Sequence, residues 1–266
     1  MPILDDKTLR CTATVYTKWY FLDNEFRTCW VLNQAINDVG FTLLHEGERP
    51  TQFIIIKNHP GVYYLPEKLE ETFPTLSGYD VYKCSLKFLR YENFKKLYQL
   101  QVLSLNFNQL DYIGSNIFDD LTHLISLKLN NNRIEGVSSR AFRNLTKLET
   151  LRLEHNEIRC FRGDEFETLT NLTYLNLSHN RLETINKFLF RGLHSIKELL
   201  LYRNSIKAIE FHEDFGRFRF HFPSVNLNFN KCIDRLFNDS NIVDLTKVLK
   251  RNCPMETIKD DEIDIE

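Results

Sequence analysis

The sequence predicts an α/β solenoid, a right-handed superhelix of short coils with a parallel sheet on its concave side and disulfide-linked terminal caps. Three observations carry the prediction. A leucine pattern recurs every 24 residues in five gapless copies. Asparagine and phenylalanine fall into columns of the same period. Of the six cysteines, two precede the periodic stretch and two follow it.

Residues 1–50 do not follow the repeat. The stretch CTATVYTKWYFLDNEFRTCWVL is rich in β-branched and aromatic residues around a polar turn at Asp23, Asn24 and Glu25, which predicts a hairpin. Cys11 and Cys29 would join its strands. A terminal coil exposes apolar side chains and unpaired strand edges unless something covers them, and this region is read as that cap.

Residues 51–232 form the solenoid. LQVLSLNFNQL (100–110), LISLKLNNNRI (124–134), LETLRLEHNEI (148–158), LTYLNLSHNRL (172–182) and IKELLLYRNSI (196–206) align without gaps, each 24 residues after the one before. All fit L-x-x-L-x-L-x-x-N-x-L, a leucine-rich-repeat pattern. LSGYDVYKCSL (76–86) is a weaker copy with Cys84 in the asparagine position. FPSVNLNFNKC (222–232) follows its predecessor by 26 residues, so the last loop is longer. Upstream, TQFIIIKNHPGVYYLPEKL reads as an irregular first coil of ambiguous frame. Val62 and Leu65 imply one frame, Phe53 and Ile55 another. Within a coil, a short strand points its alternate leucines inward and the residues between them outward. No coil buries its leucines alone, so neighbours complete the core.

Two columns finish the coil. Asn108, Asn132, Asn156, Asn180, Asn204 and Asn230 stand where the backbone leaves the strand and curves inward. A carboxamide there can satisfy both the N–H and C=O groups that the sheet no longer pairs. Cys84 is a small, buryable substitute, read as a structural thiol. Phe94, Phe118, Phe142, Phe166 and Phe190 are expected to stack on the convex side, and Phe215 breaks the spacing by one residue.

Residues 233–253 read as a helical cap with Ile242, Leu245, Val248 and Leu249 on its apolar face and Cys232 bonded to Cys253. Cys84 and Cys160 would remain thiols. Residues 254–266, PMETIKDDEIDIE, are acidic and lack apolar periodicity, which predicts a disordered tail.

The central repeats resemble the typical 24-residue class of extracellular leucine-rich-repeat proteins. FRTCWVL before FIIIKN, then YLPEKLEETFPTL and a closing NKCID…C, are similar to secreted leucine-rich-repeat proteins of dipteran insects. The resemblance implies an extracellular binding or immune-recognition role and no particular ligand.

Composition narrows the function classes. A net charge of −2 argues against nucleic acid as a partner, and no apolar run reaches the roughly 18 residues of a transmembrane helix. MPILDDKTLR lacks the apolar segment of a signal peptide. Either the natural precursor starts earlier, or the chain is cytosolic with reduced cysteines. Paired cysteines and the sequons at Asn144, Asn171, Asn176 and Asn238 favour a secreted, extracellular glycoprotein. Catalytic motifs are missing: there is no GxGxxG, P-loop, HExxH or GxSxG, so the reading is no enzyme and no cofactor. His155 and His179 share a column on adjacent coils, but two histidines fall short of a metal site, and none is expected.

Function is therefore placed on the outward strand positions, as recognition of a protein or glycan. Lys128 and Arg152 are taken as a basic pair at the centre, flanked by Phe107, Tyr174 and Tyr202, because aromatic and arginine side chains dominate interface energetics. A structural or adhesive scaffold, or the ectodomain-like part of a receptor, is the alternative.

Overall fold

The computed structural model describes residues 8–18, 25–31, 42–46, 52–58, 62–210, 224–238, 241 and 245–254, the first three segments and residue 246 as backbone only. A twelve-stranded sheet runs through the described residues. Its N-terminal strands are β1 (Thr8–Lys18), β2 (Glu25–Val31), β3 (Thr42–Glu46) and β4 (Phe53–Lys57). Seven coils follow, carrying β5 (Gly78–Tyr82), β6 (Val102–Ser104), β8 (Ser126–Lys128), β10 (Thr150–Arg152), β11 (Tyr174–Asn176), β13 (Glu198–Leu200) and β15 (Ser224–Asn226). Two-residue strands pair separately beyond the ladder: β7 (Tyr112–Ile113) with β9 (Gly136–Val137), and β12 (Thr184–Ile185) with β14 (Ala208–Ile209). A last strand, β16 (Leu236–Asn238), turns back antiparallel to β15.

From β4 to β15 every pairing is parallel and in register. The register aligns Ile54, Tyr79, Leu103, Leu127, Leu151, Leu175, Leu199 and Val225, all buried in one continuous core. The first-coil frame is resolved by a single inserted residue. In the strand, Ile54 and Ile56 face the core opposite Tyr79 and Val81, while the Val62 carbonyl accepts from the Ser85 N–H as that of Leu86 does from the Gln109 N–H. Neither frame suggested by the sequence holds through the whole coil. Phe53 and Ile55 lie on the other side of the sheet, yet both are buried, and the Phe53 ring occupies the space left by the missing side chain of Gly78.

The ladder asparagines tie adjacent coils together. Asn156 Oδ1 accepts from Ile134 N–H at 3.0 Å, and its Nδ2 donates to the carbonyls of Leu129 and Leu153 at 3.1 and 2.9 Å. Asn132, Asn180, Asn204 and Asn230 repeat this set, and Asn108 adds the Cys84 N–H. Cys84 directs its thiol at the carbonyls of Ile56 and Tyr82, a weaker version of the same bond.

The helical part of the α/β expectation is small. Among the described residues the α-helices are α1 (Leu69–Thr72) and α2 (Leu245–Asn252). Convex segments are chains of tight turns: Leu121 N–H donates to Phe118 O and Leu124 N–H to Leu121 O, a motif that recurs from coil to coil. A 24-residue coil leaves too short a return path for longer helices. The turns stack the phenylalanine column in the core, with Phe118, Phe142 and Phe166 parallel at centroid spacings of 6.3 and 6.2 Å.

The caps differ in detail from the sequence reading. At the N-terminus β1 and β2 pair antiparallel as a hairpin, and β3 adds to the far edge of β1, parallel to it. Register places Cys29 opposite Ala13; the side chains of Cys11 and Cys29 lie outside the described residues, as does the turn between the strands. At the C-terminus the helix is shorter than 233–253. The chain first spends 236–238 on β16, and among the described residues of this stretch Leu245–Asn252 are helical, with Leu245 and Leu249 buried. The Cys232–Cys253 disulfide pins this helix to the last coil. Ile242, Phe215 and all but the first residue of 254–266 lie outside the described residues.

Candidate functional site on the sheet face

Alternation along each strand leaves two outward positions, and the chain then adds a third and a fourth before the ladder asparagine. Lys128 and Arg152 are register partners on β8 and β10, at the centre of this face. Tyr174 on β11 and Tyr202 in the next coil come near enough to Arg152 to act on it electrostatically. Phe107 is set apart: it lies one step from the ladder and packs edge-on against Tyr82 at 5.2 Å. The five residues chosen from sequence therefore divide into a central four and one at the margin.

Of the central basic pair, Arg152 is directly compensated. Arg152 Nε donates to Glu154 Oε1 at 2.8 Å, and Nη2 approaches the same oxygen at 2.5 Å. Burial is the largest single effect and works against the guanidinium charge; the hydrogen bond to Glu154, its charge and the nearby tyrosines together outweigh it, so Arg152 holds its proton more tightly than a free arginine. Lys128 shifts the other way. Burial, then repulsion from Arg152, holds its ammonium below the ordinary lysine value. Burial also raises the Tyr174 phenol, which accepts from Asn176 Nδ2 at 3.3 Å. Sequence reasoning set Glu154 in the outward column beside that of Arg152 but did not pair the two, although residues two apart on a strand share a face. It also passed over the Lys57–Asp80 ion pair at 2.9 Å, which depends on the inserted residue of the first coil.

The four sequons differ in accessibility. Asn176 is buried, and its Oδ1 accepts from both the N–H and the hydroxyl of Ser178, so a glycan there would break the sheet face apart. Asn171 and Asn238 are exposed and Asn144 is half-buried; Asn144 and Asn171 lie off the strands, whereas Asn238 stands on β16 opposite Ser224, at the C-terminal edge of the face. A sugar blocking the middle of the face is inconsistent with this packing.

Next to the ladder the backbone does something the sequence did not announce. Lys83, Phe107, Asn131, His155, His179, Arg203 and Phe229 all have φ between 51° and 59°, the left-handed region. His155 and His179 stack at 3.9 Å, and Tyr202 meets His179 edge-on at 5.3 Å. Burial, then the neighbouring His155, lowers the His179 pKa. Among the described residues no group of three or more His, Cys, Asp or Glu side chains could hold a metal ion.

Comparison with known proteins gives a consistent picture. The family described as leucine rich repeat matches residues 80–134, 122–182 and 170–213, together half of the chain. No curated protein matches. One similar solved structure is titled the crystal structure of a TLR13–ssRNA13 complex. It aligns with a TM-score of 0.62 and 27% identity over 68% of this chain and 25% of that one, so this chain spans about a quarter of the other's length.

Proposed function

Because this chain belongs to the leucine-rich repeat family, we propose that it is a non-catalytic, extracellular binding module that recognises a protein or glycan through the outward face of its sheet. The observation that carries the reading is the sheet itself. Eight coils present their outward side chains in register on a framework fixed by the asparagine ladder, an arrangement suited to extended binding surfaces. Lys128, Arg152, Tyr174, Tyr202 and Phe107 are the proposed contacts. The Cys232–Cys253 disulfide supports an oxidising compartment. Similarity to part of a TLR13 structure supports the alternative that the chain works as a stretch of a receptor ectodomain.

The test is to immobilise the protein and profile host and microbial surface proteins and glycans. Lys128→Glu combined with Arg152→Glu should abolish capture of a specific partner while thermal unfolding remains cooperative. Unchanged capture by that folded variant would refute a role for the central pair. A second reading, a nucleic-acid ligand, has one specific support: the similar structure is by its title a complex with RNA. The overall charge of −2 is a poor argument against it, because charge acts locally.

A further inference from the structure

The left-handed column beside the ladder is a ridge with its own chemistry. For an L-residue this conformation costs roughly 1–2 kcal/mol, and Gly or Asn bears it most easily. The turn imposes the backbone, but not the side chain. In the seven coils only Asn131 is the easy choice. Elsewhere the sequence carries Lys, Phe, His, His, Arg and Phe, and none of these side chains serves the core. Lys83, Phe107, His155, Arg203 and Phe229 are exposed, Phe107 by 41% and Phe229 by 60%, whereas most of the central column is buried or half-buried. Strain kept in exposed positions points to use by a ligand.

Charge says what kind of ligand. The residues on either side of the ladder position, from the coil of Lys83 to that of Phe229, include five cations: Lys83, Arg133, Arg181, Arg203 and Lys231. Glu157 is the one acid, a net of +4 against −2 for the whole chain. Glu157 is itself paired with Arg181 at 2.8 Å. Interleaved with these cations are planar groups: Phe107 against Tyr82, the His155–His179 stack, and Phe229 beneath the Arg203 guanidinium at 5.3 Å. Asn131 leaves a gap in the row between Phe107 and His155. The ridge crosses seven coils, roughly 30 Å at the spacing of sheet strands.

A row of cations alternating with exposed rings matches a strand that offers both phosphates and planar bases. We infer that this ridge is a binding site for single-stranded nucleic acid, read through its backbone charge and base stacking rather than its sequence. The inference rests on the binding-module reading and gives the module a second surface beside the sheet centre.

The experiment is fluorescence anisotropy with a labelled 20-nucleotide oligouridylate, a duplex of equal length, and a sulfated polysaccharide as competitor. The single strand should bind more tightly than the duplex. Phe107→Leu and Phe229→Leu, which keep apolar bulk but remove the ring, should each weaken it on the order of tenfold. Arg203→Gln should lower the salt slope by about one, and Tyr98→Ala, an exposed ring ahead of the strands and outside both proposed surfaces, should leave binding unchanged. Three results would each overturn the proposal: no binding at low salt, equal affinity for the duplex or the sulfated chain, or full affinity in both leucine variants. None of them would remove a protein partner captured at the sheet centre, so the two readings fail separately.

Discussion

Replacing Asn156 with alanine removes one carboxamide and its three shortest bonds to buried backbone groups, and the ladder's sharing of acceptors sets the cost. Ile134 N–H loses its partner outright, because Asn156 Oδ1 accepts it. The two carbonyls fare better. Leu129 O also accepts from Asn132 Nδ2 at 2.9 Å, and Leu153 O also accepts from Asn180 Nδ2 at 2.9 Å. One orphaned buried donor costs about 1–3 kcal/mol, and two half-satisfied carbonyls add less, so the single variant should lose about 2–4 kcal/mol. Removing Asn180 as well strips Leu153 O of both carboxamide donors. The Asn156→Ala/Asn180→Ala double variant should therefore exceed the sum of its singles by about 1 kcal/mol or more. Asn108 and Asn204 share no acceptor, and that pair should be additive within about 0.5 kcal/mol. Urea unfolding followed by far-ultraviolet circular dichroism gives these differences, and hydrogen exchange at the Ile134 amide reads the orphan directly. Additivity of the adjacent pair, or unchanged exchange at Ile134, would refute the shared-acceptor account.

Other consequences are as direct. Gly192→Ala would set a Cβ 2.0 Å from the Glu167 carbonyl oxygen, a clash with backbone, and should destabilise by about 1–3 kcal/mol or more in a thermal melt. His179 titrates below its ordinary value when folded, so the unfolded chain binds the proton more readily; stability should fall as pH drops through the window below the unfolded histidine pKa, and less steeply in His179→Gln. Arg152→Leu leaves the buried Glu154 carboxylate without its cation, and should lose more stability than Arg152→Leu/Glu154→Leu, measured as a double-mutant cycle. When the protein is expressed through a secretory pathway, peptide mass spectrometry should find glycans at Asn171 and Asn238 and none at Asn176.

The period of 24 by itself determined the stacked coils, the inward leucines, and the places of the asparagine and phenylalanine columns. Such features repeat, so each coil testifies to all the others. The paired cysteines also marked where the array closes at Cys232 and Cys253. Where repetition fails, the sequence loses its grip. The inserted residue of the first coil shifts Ile54 and Ile56 into the core, and only strand pairing with Tyr79 and Val81 reveals it. The return strand β16 was likewise invisible, because its pairing depends on the neighbour at the end of the sheet.

The site was read least completely for the same reason. Lys128 and Arg152 were correctly set side by side, since a column is a sequence property. Whether they are available is decided by what lies over and beside them, and there the Glu154 carboxylate and burial intervene. The ridge depended still more on tertiary structure. Its residues were legible as a column, but their left-handed backbone and exposure arise from the turn that the ladder bonds impose. Periodicity fixes which residues are neighbours; three-dimensional packing alone decides which charges cancel, which rings stack, and which side chains remain open to a partner.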